Sequence, residues 1–207
     1  VINVRWAIRK KFALKKIKVG HAGTLDPLAT GLLVICTGKK TKTIDQLQAE
    51  TKEYTGSLRL GETTPSYDLE TAIDKSWPVD HISNEMITGA TKQFIGKIQQ
   101  SPPIYSAVKQ DGVRLYEKAR KGESVEVKKR EVEILDFEIT RIEMPDVDFR
   151  VTCSKGTYIR SLAYDFGKNL DSGAHLTSLR RTRSGDFRVD QAETIEQFLT
   201  RLESNSE

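Results

Sequence analysis

The chain has 207 residues, 37% hydrophobic and 30% charged, with 33 Lys and Arg against 29 Asp and Glu for a formal net charge of +4. This length can bury a real core as one large domain or two small ones, and the composition is that of a soluble globular protein with a mild preference for polyanionic partners. No run is long and apolar enough to span a bilayer, no signal-peptide pattern is visible, and two cysteines with three scattered histidines give no metal-ligand spacing.

In chain order, Val1 to Phe12 predicts a basic amphipathic helix, with Val4, Ala7, Ile8 and Phe12 at helical spacing. The positive charge is concentrated here: Arg5, Arg9, Lys10, Lys11, Lys15, Lys16 and Lys18, then Lys39, Lys40 and Lys42, surround Asp26, the only acid before Asp45. Glu62, Asp68, Glu70, Asp74, Asp80 and Glu85 make the following region acidic. Asp26 lies in a glycine-punctuated run from Val19 to Gly31, where Pro27 fixes its own φ and pushes Asp26 toward an extended conformation. An Asp-Pro pair is also an ordinary turn start, so the pair alone does not separate a reactive carboxylate from a plain turn. The apolar run Leu32 to Cys36 predicts a buried strand anchoring the loop. Thr37-Gly38-Lys39-Lys40-Thr41 fails as a phosphate-binding P-loop, because Gly31 is too far upstream and no Ser or Thr directly follows Lys39.

Lys52 to Leu60 predicts a strand, and Ser83 caps a helix running toward Phe94 and ended by Gly96. Asp111-Gly112 predicts a hairpin turn, and Arg114 to Lys121 a short helix. Glu131 to Ile139 and Val147 to Cys153 alternate apolar and polar residues as half-buried strands, joined by Met144-Pro145-Asp146. Helices follow at Tyr158 to Leu170 and Thr194 to Leu202. This order predicts an α+β fold with a mixed, largely antiparallel sheet flanked by helices. Cys36 and Cys153 sit in apolar runs, which predicts buried reduced thiols and a cytoplasmic location.

Gly20-His21-Ala22-Gly23-Thr24-Leu25-Asp26-Pro27-Leu28-Ala29-Thr30-Gly31 resembles the nucleophile motif of the tRNA pseudouridine synthase B family, Gly-His-x-Gly-x-Leu-Asp-Pro-x-Ala-x-Gly. Three further blocks are similar to that family: Lys52-Glu53-Tyr54 with Leu58-Arg59-Leu60-Gly61; Ser101-Pro102-Pro103-Ile104-Tyr105-Ser106-Ala107-Val108-Lys109 with Gly112, Arg114 and Tyr116; and Gly156-Thr157-Tyr158-Ile159-Arg160-Ser161-Leu162 with Gly173-Ala174-His175-Leu176 and Leu179-Arg180-Arg181-Thr182. The resemblance covers nearly the whole chain. It implies a mixed sheet with a central RNA-binding cleft, and isomerisation of uridine-55 in the tRNA T-loop to pseudouridine without metal or nucleotide cofactor.

The resemblance also implies roles. Asp26 is the nucleophile. It has to be ionised beside phosphates, and Arg160 is the cation that favours this by pairing through its planar fork. The target base leaves its stack at a cost of a few kcal/mol, and an aromatic platform returns about 1–3 kcal/mol. Tyr54 is that platform, its hydroxyl helping to move the C5 proton. Tyr158 and Leu179 line the pocket, and His21 holds the displaced nucleotide. Lys18 and Lys42 are the foremost phosphate contacts, with Arg180, Arg181 and Arg183 as a second cluster.

The expected organisation is a single catalytic domain over residues 1–207, acting as a monomer on the T-arm with no obligatory protein partner. The family's Lys-Pro-x-Gly strand is missing before Val1, so the sequence is expected to begin inside the natural protein or to lack a mobile start. No C-terminal RNA-binding domain is expected after Thr194-Ile195-Glu196. Three alternatives stay open. A guide-RNA-dependent synthase shares the aspartate loop, although Leu28-Ala29-Thr30 resembles the bacterial stand-alone form. A non-catalytic RNA-binding module would use the same basic residues and aromatics. A uridine-removing glycosylase would release uracil.

Overall fold

A computed structural model describes residues 1–105, 109–110, 113–114 and 127–204. The chain opens with helix α1 (Ile2–Lys11), then short strands β1 (Val19–His21), β2 (Thr30–Gly31) and β3 (Ile35–Thr37). A 3₁₀ turn (Gly38–Thr43) leads into α2 (Ile44–Ala49), followed by β4 (Lys52–Leu60), β5 (Glu62–Thr63) and β6 (Lys75–Ser76). Next come α3 (Asn84–Ala90), β7 (Gly96–Gln100), β8 (Lys109–Gln110) and β9 (Val113–Arg114). The remainder is β10 (Arg130–Glu143), β11 (Asp146–Cys153), α4 (Ile159–Asn169), β12 (Ala174–Ser184), β13 (Phe187–Arg188) and α5 (Ile195–Ser204).

The main sheet runs β13-β12-β4-β11-β10-β7 with every neighbouring pair antiparallel, and β2 adds a short parallel pairing to β12. Its inner face follows the alternation of the sequence. Val147, Phe149, Val151 and Cys153 of β11 are all buried, as are Leu58 and Leu60 of β4. In β10 an irregularity between Ile134 and Asp136 changes the phase, so Val132, Ile134 and Phe137 face inward while Leu135 is exposed. Against this face pack Ile87 of α3 and Ile159, Leu162, Ala163 and Phe166 of α4. Phe137 meets Phe149 edge-on at 6.0 Å and Phe166 at 5.5 Å. A second, smaller cluster of Ala22, Leu32, Val34 and Cys36 lies beside β1 and β3.

The α+β architecture, the strand Lys52–Leu60, the hairpin of β10 and β11 and the helices at both ends agree with the sequence reading. Three expectations need correction. Leu32 to Cys36 is not one strand; only Ile35–Thr37 pairs, because the backbone of Leu32 bonds to Arg181 instead of a ladder partner. The helix capped by Ser83, whose hydroxyl accepts from the Met86 amide, stops at Ala90 and tightens into a 3₁₀ turn over Thr91–Phe94. Arg114 lies in a strand rather than at a helix start. The Asp111-Gly112 turn and the rest of that expected helix lie outside the described residues, although β8 and β9 pair antiparallel across positions 111–112. The interior strand β12 and the edge strand β7 carry no alternating apolar signal and are not among the predicted elements. Both cysteines are buried free thiols. No helix among the described residues is long and apolar enough to cross a membrane.

Candidate active site

The segment between β1 and β2 carries Asp26 and is shaped by its own backbone and by one arginine. The Ala29 amide donates to the Asp26 carbonyl at 3.0 Å, so Asp26-Pro27-Leu28-Ala29 closes as a turn. Gly31 ends the segment at φ +98°, where a Cβ would lie 2.3 Å from the Arg181 carbonyl oxygen, so only glycine allows this approach. Arg181, on β12, has 1% of its surface exposed. It donates from Nε to the Leu32 carbonyl at 2.8 Å, from Nη2 to Gly23 at 3.1 Å and from Nη1 to Thr24 at 3.4 Å. Arg181 therefore does not belong to a surface phosphate cluster with Arg180 and Arg183; it is consumed inside the protein, clasping the aspartate loop.

Arg160, in the first turn of α4 and 3% exposed, faces Asp26. Its Nη2 donates to Oδ1 at 2.7 Å and its Nε to Oδ2 at 3.1 Å, a two-pronged pairing. The remaining Nη1 donates to the Tyr105 carbonyl at 3.1 Å and the Ser66 carbonyl at 3.4 Å, and lies 3.5 Å from the buried carboxylate of Asp68. Asp68 is a site residue that the sequence reading missed, absorbed there into a generally acidic region. Its loop is tied by short polar side chains. Thr64 and Ser66 hydroxyls donate to the Asp68 carbonyl, and Asp68 Oδ1 accepts from the Glu70 amide at 3.0 Å. The dense Thr-Thr-Pro-Ser-Tyr-Asp composition of residues 63–68 was the available signal.

Asp26, Tyr54, Tyr158, Arg160 and Leu179 line one cavity of about 550 Å³. Tyr54 reaches it from β4, and burial is the main influence raising its phenol above the ordinary value, with the nearby Arg181 charge pulling the other way. Tyr158 stands immediately before α4. Its backbone is clasped by the fully buried Gln100 of β7, which accepts from the Tyr158 amide at 2.7 Å and donates to its carbonyl at 3.0 Å. The Arg130 guanidinium lies 5.3 Å from the Tyr158 ring centre. Lys52, also on this wall, is buried, which lowers its ammonium pKa, and it donates to the carbonyls ending α2: Glu50 at 2.6 Å, Gln48 at 2.7 Å and Leu47 at 3.3 Å. Gln100 and Arg130 carry no individual signal in the sequence, and Lys52 is legible only as part of the Lys52-Glu53-Tyr54 block.

The other expected site residues are not brought into this cavity. His21, on β1 opposite Ile35, has a buried Nδ1 without a hydrogen-bond partner among the described residues. Lys18 lines a separate basic groove of about 470 Å³ with Arg5, Arg9, Lys15 and Lys16. Lys42 is exposed on the 3₁₀ turn before α2. Among the described residues no three His, Cys, Asp or Glu side chains are grouped to hold a metal ion.

Residues 9–159 match the pattern described as TruB family pseudouridylate synthase (N terminal domain), and residues 160–207 match the tRNA pseudouridylate synthase B C-terminal domain. The chain is similar to a tRNA pseudouridine synthase B of Flavobacterium johnsoniae, 62% identical over 199 residues that cover 96% of this chain and 87% of the relative. The protein of that name from Phocaeicola vulgatus is 54% identical, covering 96% of this chain and 85% of the relative. Among solved structures, a chain in the crystal structure of a Cbf5-Nop10-Gar1 complex aligns with a TM-score of 0.70 and 32% identity, over 95% of this chain and 49% of that one. A chain in the structure of an H/ACA RNP bound to a substrate RNA containing 2′-deoxyuridine aligns at 0.67 and 29%, over 95% and 47%. The present chain thus spans about half the length of those two solved chains.

Proposed function

The chain belongs to the TruB family of tRNA pseudouridine synthases, and from that premise we propose that it converts uridine-55 of the tRNA T-loop to pseudouridine with Asp26 as nucleophile. The observation that carries the reading is the pairing of Asp26 with the buried fork of Arg160 in a cavity walled by two tyrosines. The reaction breaks the C1′–N1 bond, forms C1′–C5, moves the C5 hydrogen off the ring and leaves a proton on N1. It is redox-neutral and needs no nucleotide.

In this reading the two prongs of Arg160 fix the plane of the Asp26 carboxylate, so an oxygen is presented to the nucleotide without a search over rotamers. A covalent Asp26 adduct divides the isomerisation into steps that each move one bond. Extruding the uridine costs a few kcal/mol, and stacking on Tyr54 offsets about 1–3 kcal/mol of that. The Tyr54 hydroxyl, kept protonated by burial, helps move the C5 proton. Tyr158 and Leu179 close the walls around the ring, His21 holds the displaced nucleotide, and Lys18 and Lys42 contact backbone phosphates outside the cavity. Residues 1–207 act as one catalytic unit, a monomer in the cytoplasm with the tRNA T-arm as its partner.

Bare T-arm RNA tritiated at uridine C5 tests the reading. The expected result is one tritium released to water per RNA, with pseudouridine at that position and no guide RNA or protein partner added. Release of free uracil, or no reaction, would overturn it.

A further inference from the structure

Among the described residues, five cationic side chains line the Asp26 cavity, those of Lys52, Arg130, Lys155, Arg160 and Arg181, against the single carboxylate of Asp26. Three of the five are consumed internally. Arg160 pairs with Asp26 and Asp68, Arg181 fills the carbonyls of Gly23, Thr24 and Leu32, and Lys52 those of Leu47, Gln48 and Glu50. Arg130 and Lys155 are different. Among the described residues neither forms an ion pair with a carboxylate, and Lys155 is exposed.

We propose that Arg130 and Lys155 form a phosphate clamp on the rim of this cavity, holding the RNA phosphodiester next to the extruded nucleotide; the proposal rests on the synthase reading above. The two residues are placed by rigid elements. Arg130 opens β10 and pairs in register with Gln100 of β7, the residue that clasps the Tyr158 backbone. Lys155 sits in the turn after β11, which is tied to β10 twice: the Ser154 amide donates to the Glu133 carbonyl at 2.8 Å, and the Ser154 hydroxyl accepts from the Glu133 amide at 2.9 Å. Gly156, at φ +81°, brings this turn beside the guanidinium, since a Cβ there would lie 3.9 Å from Arg130 Nη1.

Two like charges set on one rim, with no counter-ion among the described residues, repel each other, and an anion between them relieves this. A guanidinium fork beside an ammonium suits the oxygens of a phosphodiester. A base held in this cavity carries its backbone across the rim, and the proposal puts that crossing at Arg130 and Lys155, which both line the cavity. The Tyr158 ring under Arg130 limits the rotamers of the guanidinium and links phosphate capture to the wall that receives the base. Contacts of this kind set register without reading sequence.

The test combines Arg130→Gln and Lys155→Gln with T-arm RNA carrying a neutral methylphosphonate at either phosphate flanking the target uridine. With unmodified RNA each variant is expected to bind about tenfold more weakly, and its plot of log affinity against log salt to flatten by about one unit of slope. With wild-type protein one of the two methylphosphonates is expected to cause a similar loss, and that RNA is expected to cost the variants little further. Losses that simply add, or an unchanged salt slope, would overturn the clamp. Lys155→Gln leaves the Arg130–Tyr158 contact in place, so it reports even if Arg130→Gln disturbs Tyr158. Tritium release by the wild type on unmodified RNA reports the synthase reading separately, so failure of one does not carry the other.

Discussion

Arg181 and Leu32 hold each other twice: Arg181 Nε donates to the Leu32 carbonyl at 2.8 Å, and the Leu32 amide donates to the Arg181 carbonyl at 2.8 Å. With its other nitrogens on Gly23 and Thr24, this one side chain attaches both flanks of the Asp26 turn to the interior strand β12. A buried guanidinium without a carboxylate is stable only if its donors find acceptors, and here backbone carbonyls supply them.

Arg181→Met keeps an unbranched apolar stem, removes the guanidinium and leaves three carbonyls without their donor. Each unfilled buried acceptor costs about 1–3 kcal/mol, partly offset by removing a buried charge. The variant is expected to fold with a lowered urea midpoint and to bind T-arm RNA within about threefold of wild type. Single-turnover conversion is expected to slow at least about tenfold at full amplitude, because small misplacements of a reacting group are costly. Reduced amplitude at an unchanged rate would mean that Arg181 serves stability alone.

Tyr54→Phe separates the ring from the hydroxyl. In the proposed reading the aromatic face carries the base contact, so RNA affinity is expected to stay within about twofold. The same reading gives the hydroxyl the C5 proton, so its loss is expected to slow single-turnover conversion by about a hundredfold or more. Equal rates for the two proteins would remove Tyr54 from proton transfer.

Cys153 gives a pH signature. Burial pushes its thiol from 9.0 to about 11. Between these values the unfolded chain gives up a proton that the folded chain keeps, so folding loses stability as pH rises. Urea titrations at pH 8 and pH 10 are expected to show wild type losing about 1 kcal/mol more than Cys153→Ala over that interval. Identical pH dependence would show that the thiol does not contribute.

The aspartate loop, β4, the β10–β11 hairpin and α4 were legible because their signals are local: a glycine-punctuated run, short stretches of apolar–polar alternation, and one apolar helical face. β12 was not, since Leu179-Arg180-Arg181-Thr182-Arg183 reads as a charged surface. Its interior place depends on the donors of Arg181 being filled by carbonyls from a segment about 150 positions earlier in the chain. Leu32 shows the reverse case. Its apolar side chain is buried as expected, but its backbone serves Arg181, and backbone partners leave no trace in the side-chain pattern. Asp68 and Gln100 act through contacts across the fold, with Arg160 and Tyr158 respectively. Nothing beside Gln100 distinguishes it from a surface polar residue, and the Thr-Thr-Pro-Ser-Tyr-Asp run that ends at Asp68 marks a tied loop without naming Arg160 as its partner.

Asp26→Asn in a single-turnover assay on T-arm RNA tests the central claim most directly. The amide keeps the shape of the side chain and can still accept from Arg160, so RNA affinity is expected to stay within about threefold, whereas loss of the nucleophile is expected to lower conversion by at least about ten-thousandfold. Substantial pseudouridine from the folded variant would contradict the assignment of Asp26 as the attacking group.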